Sequence, residues 1–273
     1  MSFRFKSRRA PKALLRTAAS LVFLGLIGLS TGNAATPQSA EKEAAPNSET
    51  LKALLNQVDD NGRGQSSRSV IEMKVKTKRY QRSMKMEAWS KGSEHSLIRI
   101  LEPKKDRGLS TLKVQKNLWN YLPNTDRTMR VPSAMMSGAW MGSHFTNDDV
   151  VRETRFSDDY TYALAPESKA AGSDTLTIRC TPKPRTPVVW GYVDVHVRKD
   201  GVPLEVRFYS EKKVKVRSFT YSELKKIGDQ EVPMKMVVTP HDKPGEETVL
   251  IFHELELNIP VEDSLFSLQA LRE

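Results

Sequence analysis

The chain has 273 residues, with 43 Lys and Arg against 33 Asp and Glu, five histidines and a single cysteine, giving a formal charge of +10. One cysteine excludes an internal disulfide framework. Six of the cations and none of the acids fall in the first 34 residues, so without that stretch the surplus drops from +10 to +4, too small to point to nucleic acid as a partner.

Arg4, Lys6, Arg8, Arg9, Lys12 and Arg16 precede the apolar run LVFLGLIGL, Leu21 to Leu29, which is the layout of a signal peptide. Gly32 and Ala34 suit a leader-peptidase site, so residues 1–34 are expected to be removed by cleavage after Ala34. An uncleaved anchor would need about 20 mostly apolar residues; this run is shorter and decays into STGN. The pair Arg8 and Arg9 invites a twin-arginine reading, but Pro11 and Lys12 stand where that signal wants apolar residues, which favours Sec export. No cysteine lies near the cut, so the chain is not expected to be a lipoprotein itself. Residues 35–47, ATPQSAEKEAAPN, have no periodicity and are expected to be a disordered linker. The remainder, 48–273, is expected to form one domain.

SETLKALLNQVDD offers Ser48 as a cap and places Leu51, Leu54, Leu55 and Val58 on one face, which predicts an amphipathic helix ended by NGRG. Period two then takes over. In SVIEMKVKT, Ile71, Met73 and Val75 alternate with Glu72, Lys74 and Lys76, and the same pattern recurs in RSMKMEAW, SLIRIL, TLKV, LWNYL, TMRV, TLTIRC, YVDVHVR, PLEVRFYS, KVKVRSFTYS, PMKMVVT and TVLIFHELELN. Roughly ten to twelve antiparallel strands at this spacing predict a meandering sheet or barrel. The charge runs KVKTKR and KKVKVRSF read as a solvated outer face, with an anion-binding face as the alternative. FSDDY reads as a solvated turn, NDDV as the capped start of a short helix, and PVEDSLFSL as a last short helix. Cys180, within LTIRCTP, reads as a small buried hydrophobe.

The motifs of catalysis are missing from the sequence. His95, His144, His196, His241 and His253 never pair at i, i+4, and no cysteine pair accompanies them, so neither a metal nor a cofactor is expected. Ser143 and His144 stand near Asp148 and Asp149, but no G-x-S-x-G elbow surrounds any serine. NGRGQS lacks the lysine of a phosphate loop.

The unusual feature is apolar. Met73, Met84, Met86, Met129, Met234 and Met236 fall on strands, in register with apolar neighbours two residues away, and are expected on a concave face. NLWNYLP puts Trp119 and Tyr121 on one strand face, and Pro132 stops the strand that follows the next turn. SAMMSGAWMGSHF, punctuated by Gly138 and Gly142, then reads as a mobile loop or short helix lying over the barrel mouth. A lid carrying Met135, Met136, Trp140, Met141 and Phe145 would cover an apolar cavity. Thioethers repack around partners of varied shape, which suits acyl chains, although methionine also fills ordinary cores.

LWNYLPNTDRTMRV followed by GAWMGSHFTNDDV resembles the W-x-Y-L-P, R-x-x-R and G-S-x-F-[ST]-x-x-D pattern of LolA-like outer-membrane lipoprotein-sorting proteins, in the branch associated with RND-type (MMPL) exporters. The resemblance implies a mainly β chain, a half-open antiparallel barrel with an N-terminal amphipathic helix and a helical or loop lid. It also implies a periplasmic location, no enzyme activity and a cavity for lipid or lipoprotein acyl chains. By motif it carries over Trp119, Tyr121, Arg127, Arg130, Gly138, Gly142, Ser143, Phe145 and Asp149. The ligand-contacting set expected on this reading is Met73, Met84, Met86, Trp89, Trp119, Tyr121, Met135, Met136, Trp140, Met141 and Phe145. Arg127, Arg130, Gly138, Gly142, Ser143 and Asp149 are expected at the mouth or lid, with Arg127 or Arg130 holding the lid or a headgroup. An inner-membrane exporter and an outer-membrane acceptor are the expected partners. The alternative is a non-catalytic adaptor of an RND-type transporter with a packed core.

Overall fold

A computed structural model describes residues 46–151, 155–169, 174–186 and 188–273, and thirteen strands and three short α-helices account for most of these described residues. The expected signal peptide, and the expected linker up to residue 45, lie outside the described residues. Helix α1 (Ser48–Asp60) comes first, followed by β1 (Ser66–Lys76), β2 (Gln81–Lys91), β3 (His95–Glu102), β4 (Ser110–Val114), β5 (Asn117–Leu122) and β6 (Arg127–Arg130). A long connection then contains α2 (Asn147–Val151) and α3 (Phe156–Asp159). The second half of the sheet is β7 (Tyr160–Leu164), β8 (Thr175–Pro182), β9 (Tyr192–Arg198), β10 (Pro203–Tyr209), β11 (Lys215–Ile227), β12 (Gln230–Pro240) and β13 (Glu247–Leu257).

Every strand pairs antiparallel with its neighbour in sequence, with one break and one extra join: β6 and β7 do not pair, and β1 pairs with β13. The result is one sheet in the order β6-β5-β4-β3-β2-β1-β13-β12-β11-β10-β9-β8-β7, open between its two edge strands. Residues 131–159 pass from one edge to the other. Among the described residues, this connection is the stretch of chain that joins the two edges across the opening.

Period-two burial follows from the sheet having unlike faces. On one face of β1 and β2, Met73 stands opposite Met84 and Ile71 opposite Met86, and all four are buried. With Val75, Ile100 and Val238 they form an apolar cluster under the long connection. On β7–β10, Ile178, Val193, Val195 and Phe208 meet Leu51, Leu54 and Leu55 of α1. The helix is capped by Asn47 rather than by Ser48: the Asn47 side chain accepts the hydrogen bond from Thr50 N–H at 2.9 Å. Its C-terminal part is held against the β9–β10 turn, where Gly201 has φ +88° and an added Cβ would meet the Cβ of Gln57 at 2.6 Å.

A third cluster lies on the opposite face of β2–β5. Alternation turns Trp89, Leu97, Leu112, Trp119 and Tyr121 away from the methionines, and the C-terminal segment covers them with Phe266 and Leu271. Arg272 reaches Asp126 at 2.6 Å and Arg99 donates to the Ala270 carbonyl at 2.7 Å, strapping the segment down. The expected terminal helix is present as two 3₁₀ turns, Asp263–Phe266 and Ala270–Arg272. FSDDY is not a turn: it forms α3 and opens β7, whose short YTYAL run follows two aspartates. Cys180 is buried and free, and burial pushes its thiol up.

Leu55 is fully buried between helix and sheet. Leu55→Ala should cost about 2–5 kcal/mol, read as a fall in melting temperature, while Lys52→Ala on the exposed side of the same helix should leave it unchanged.

Candidate ligand-binding site and its lid

The connection from β6 to β7 is built around a tight loop. Ala139 and Thr146 form an isolated antiparallel bridge, Trp140 N–H donates to the Phe145 carbonyl at 2.8 Å, and the Ser143 hydroxyl donates to the Trp140 carbonyl at 2.7 Å while accepting from Phe145 N–H. The reversal needs left-handed backbone at Met141 (φ 48°) and Gly142 (φ +67°). At Gly142 a Cβ would meet the Tyr80 hydroxyl at 3.1 Å, and that hydroxyl donates to the Gly142 carbonyl at 2.5 Å. Trp140 and Phe145 point from this loop into the Met73, Met84, Met86 and Ile100 cluster and are buried there. Trp140 Nε1–H finds Thr111 Oγ1 at 3.2 Å, so the ring enters without an orphaned donor.

Electrostatics fix the loop in place. Thr146 caps α2: its hydroxyl accepts from Asp149 N–H, and the Asp149 carboxylate accepts in return from Thr146 N–H at 2.8 Å, a capping box. The same carboxylate takes two hydrogen bonds from Arg217 of β11, at 2.6 and 2.7 Å, with both side chains under 10% exposed. The Arg217 guanidinium lies 4.6 Å from the Trp190 ring centroid, 4.7 Å from that of Phe208 and 5.0 Å from that of Phe219. Burial alone would raise the Asp149 carboxyl, but the Arg217 hydrogen bonds and charge outweigh it and hold the carboxyl below its ordinary value. A second tie joins His144 to β13, through Thr248 Oγ1 at 2.8 Å and the Glu246 carboxylate at 3.1 Å.

Beside the plugged half of this face the sheet is not filled. A cavity of about 410 Å³ lies between the end of α1, at Val58 and Asp59, and the strands. Ala88, Ile98, Met236 and Phe252 line it and also pack against the cluster beneath Trp140, so cavity and plugged trough share walls. Its other wall is polar: Ser67, Ser69, Ser90 and Ser96 follow the apolar positions on the same strand faces. Such a volume lies within the usual range of small-ligand sites, about 300–1,000 Å³. Burial pushes the Asp59 carboxyl up to about 6, against the pull of its hydrogen bond from Phe156 N–H and the charge of Arg155. Arg155 ties the end of the connection to Asp60 at 2.9 Å.

Of the residues singled out from sequence, Met73, Met84, Met86, Trp140, Met141 and Phe145 come together in one cluster. Trp89, Trp119 and Tyr121 gather instead on the opposite face under the C-terminal segment, although Trp89 also borders the cavity. Met135 is 61% exposed, Met136 is half-buried, and Gly138 is exposed. Arg127 and Arg130 are exposed on the edge strand β6, with Arg130 donating to Asn117. The cation that grips the lid is Arg217, one of the KKVKVRSF residues that alternation places on the outer face. Ser143 staples the loop, and His144 faces Thr248 and Glu246 rather than Ser143.

A family model described as uncharacterized-protein-like matches residues 92–273. No curated protein matches the sequence. Among solved structures, a candidate outer membrane lipoprotein-sorting protein domain from Vibrio parahaemolyticus is similar with a TM-score of 0.69 at 22% identity, covering 82% of this chain and 97% of that one. A DUF1329 family protein from Desulfovibrio piger gives 0.71 at 24% identity, with 81% and 96% coverage. A LolA superfamily protein from Nitrosomonas europaea gives 0.65 at 22% identity, with 80% and 98% coverage. The fold is thus that of the LolA-like open barrel.

Asp149→Asn leaves Arg217 buried without its counter-charge and should lower stability by about 3–5 kcal/mol near neutrality. Because the Asp149 pKa is depressed in the folded protein, the stabilisation is complete above its unfolded value and lost as pH falls through the folded one. The gap between wild type and variant, measured by denaturant unfolding, should be flat from about pH 5 to 8 and close below about pH 4. Asp59 has the opposite sign: its pKa is raised, so ionisation costs stability as pH rises through about 6. Asp59→Asn should therefore unfold at higher denaturant than wild type at pH 8 and at the same concentration below about pH 4.

Proposed function

The chain belongs to the family whose model spans residues 92–273 and has the LolA-like fold, and on that footing we propose that it is a periplasmic carrier of lipid or lipoprotein acyl chains. One observation carries the reading: a methionine-walled trough, plugged by two aromatic side chains of a latched loop, shares its walls with a standing cavity. An acyl chain that displaces Trp140 and Phe145 would lie along Met73, Met84 and Met86 and extend toward Ala88, Ile98 and Phe252. The serines beyond would meet the polar end of the cargo. An adaptor with a solid interior would have no use for this volume.

Magnitudes set a requirement on the cargo. Opening the lid unburies Trp140 and Phe145, at about 1.5–3 kcal/mol each, and gives up two charge-assisted hydrogen bonds worth about 1.5–3 kcal/mol each. Each methylene hidden from water returns about 0.8 kcal/mol. Roughly ten or more methylenes are needed before loading is favourable, which selects long acyl chains. No nucleotide is required; cargo passes to whichever acceptor holds it more tightly, with an inner-membrane exporter as donor and an outer-membrane protein as acceptor. No catalytic step is assigned to the site.

Protein purified from its own envelope should release an amphiphile detectable by mass spectrometry, and repeated recovery of empty protein would contradict the reading. In vitro, binding of single-chain amphiphiles should be weak at about eight carbons and strong at about sixteen, as the methylene balance requires. Trp140→Ala should shift that threshold shorter by about two or three carbons, since less aromatic surface is unburied on opening.

A further inference from the structure

Charge is unevenly divided between the two ends of the sheet. Antiparallel pairing places the β1–β2, β3–β4, β10–β11 and β12–β13 turns at one end, with the β5–β6 and β8–β9 connections beside them, and contacts join the first four into a strip. Arg82 beside the first turn reaches Asp106 in the second at 3.3 Å, Lys78 N–H donates to Glu246 at 3.0 Å, and His241 N–H donates to Val216, just past the β10–β11 turn, at 2.8 Å.

The first two turns expose Lys78 and Arg79, then Lys104 and Lys105; the next two expose Lys212 and Lys213, then Lys243. Among the described residues these side chains form no ion pair. Of the acids in the same turns, Asp106 and Glu246 are already engaged by Arg82 and His144, which leaves Glu211 and Asp242. Turns at the far end carry Glu94, Asp200, Asp229 and Glu262 against Arg63, Lys116 and Lys199. Apolar side chains stand among the cations of the basic end: Val214 is 61% exposed and Tyr80 42%. Val189, 77% exposed, lies next to the β10–β11 turn, where Gly191 N–H donates to the Tyr209 carbonyl.

We propose that this end docks on a bilayer surface of anionic phospholipid. Unpaired lysines and an arginine on turn tips meet the lipid phosphates, while Val189, Val214 and Tyr80 enter the headgroup layer. Each such cation strengthens binding to an anionic surface roughly fivefold. The lid latch sits at the same end, since Tyr80 touches Gly142 and His144 touches Glu246, so docking sets the trough mouth against lipid. The docking reading stands apart from the cargo reading, because vesicles are bound or not whatever the cavity holds.

Flotation with phosphatidylglycerol–phosphatidylethanolamine vesicles tests it, using phosphatidylcholine vesicles as the neutral reference. The protein should float with the anionic vesicles only and be released at about 0.5 M salt, where screening reaches only a few ångströms. Lys212→Glu with Lys213→Glu, and separately Lys78→Glu with Arg79→Glu, should each weaken binding by at least about tenfold at unchanged melting temperature. Val189→Asp with Val214→Asp should also weaken it, while Lys225→Glu with Lys226→Glu, away from the strip, should not. Absence of flotation, equal flotation with neutral vesicles, or indifference to both charge reversals would overturn the proposal. Retention by an acidic protein without vesicle binding would overturn it as well.

Discussion

A guanidinium held among three aromatic rings, out of water, needs a counter-charge, and among the described residues the carboxylate that answers Arg217 is Asp149 of the lid. That requirement organises the rest of the site. Asp149 can reach Arg217 only when Thr146 has started α2, because the capping box and the ion pair use the same carboxylate. With α2 set there, the preceding reversal aims Trp140 and Phe145 at the methionine cluster. A purely apolar plug would have no fixed register, whereas a bidentate charge pair defines one closed geometry. Breaking the pair adds to the cost of opening, because two charge-assisted hydrogen bonds are given up.

The topology explains why a lid exists at this place. A sheet that paired β6 with β7 would be a closed barrel with a sealed wall. Leaving those edges apart creates a long opening, and the chain that must cross it is the natural cover. This crossing is fastened in its middle, to Arg217 and to Thr248 of β13, and near its close, to Asp60 of α1. The stretch between β6 and α2 carries the exposed Met135, Gly138 and Ala139.

Much of this architecture was readable from alternation. The helix with its Leu51, Leu54 and Leu55 face, and twelve of the thirteen strands, follow from periodicity, because burial on one face imposes it directly. β7 escaped because it opens directly behind two aspartates, within the FSDDY run that reads as a solvated turn. Arg217 escaped for a different reason. In KVKVRSF the basic residues alternate with valines, which places them all outside, but a bulge at the start of β11 pairs Tyr209 with Lys215 and Phe208 with Arg217. One extra residue turns the side chains after it to the other face, bringing Arg217 inward. Trp119 and Tyr121 do share a strand face, yet nothing local says which face; the C-terminal segment, more than a hundred residues on, decides it by covering the outer one.

The central claim is that the methionine trough is reserved for a hydrocarbon chain and that the lid vacates it on loading. A crystal structure of the protein with a long fatty acid brominated along its chain tests this most directly, because the anomalous signal of bromine marks the chain without interpretation of weak density. The account predicts bromine peaks beside Met73, Met84 and Met86, with Trp140 withdrawn from the cluster and the Arg217–Asp149 pair broken. Peaks confined to the outer surface, or an interior still occupied by Trp140 in the presence of bound lipid, would contradict it.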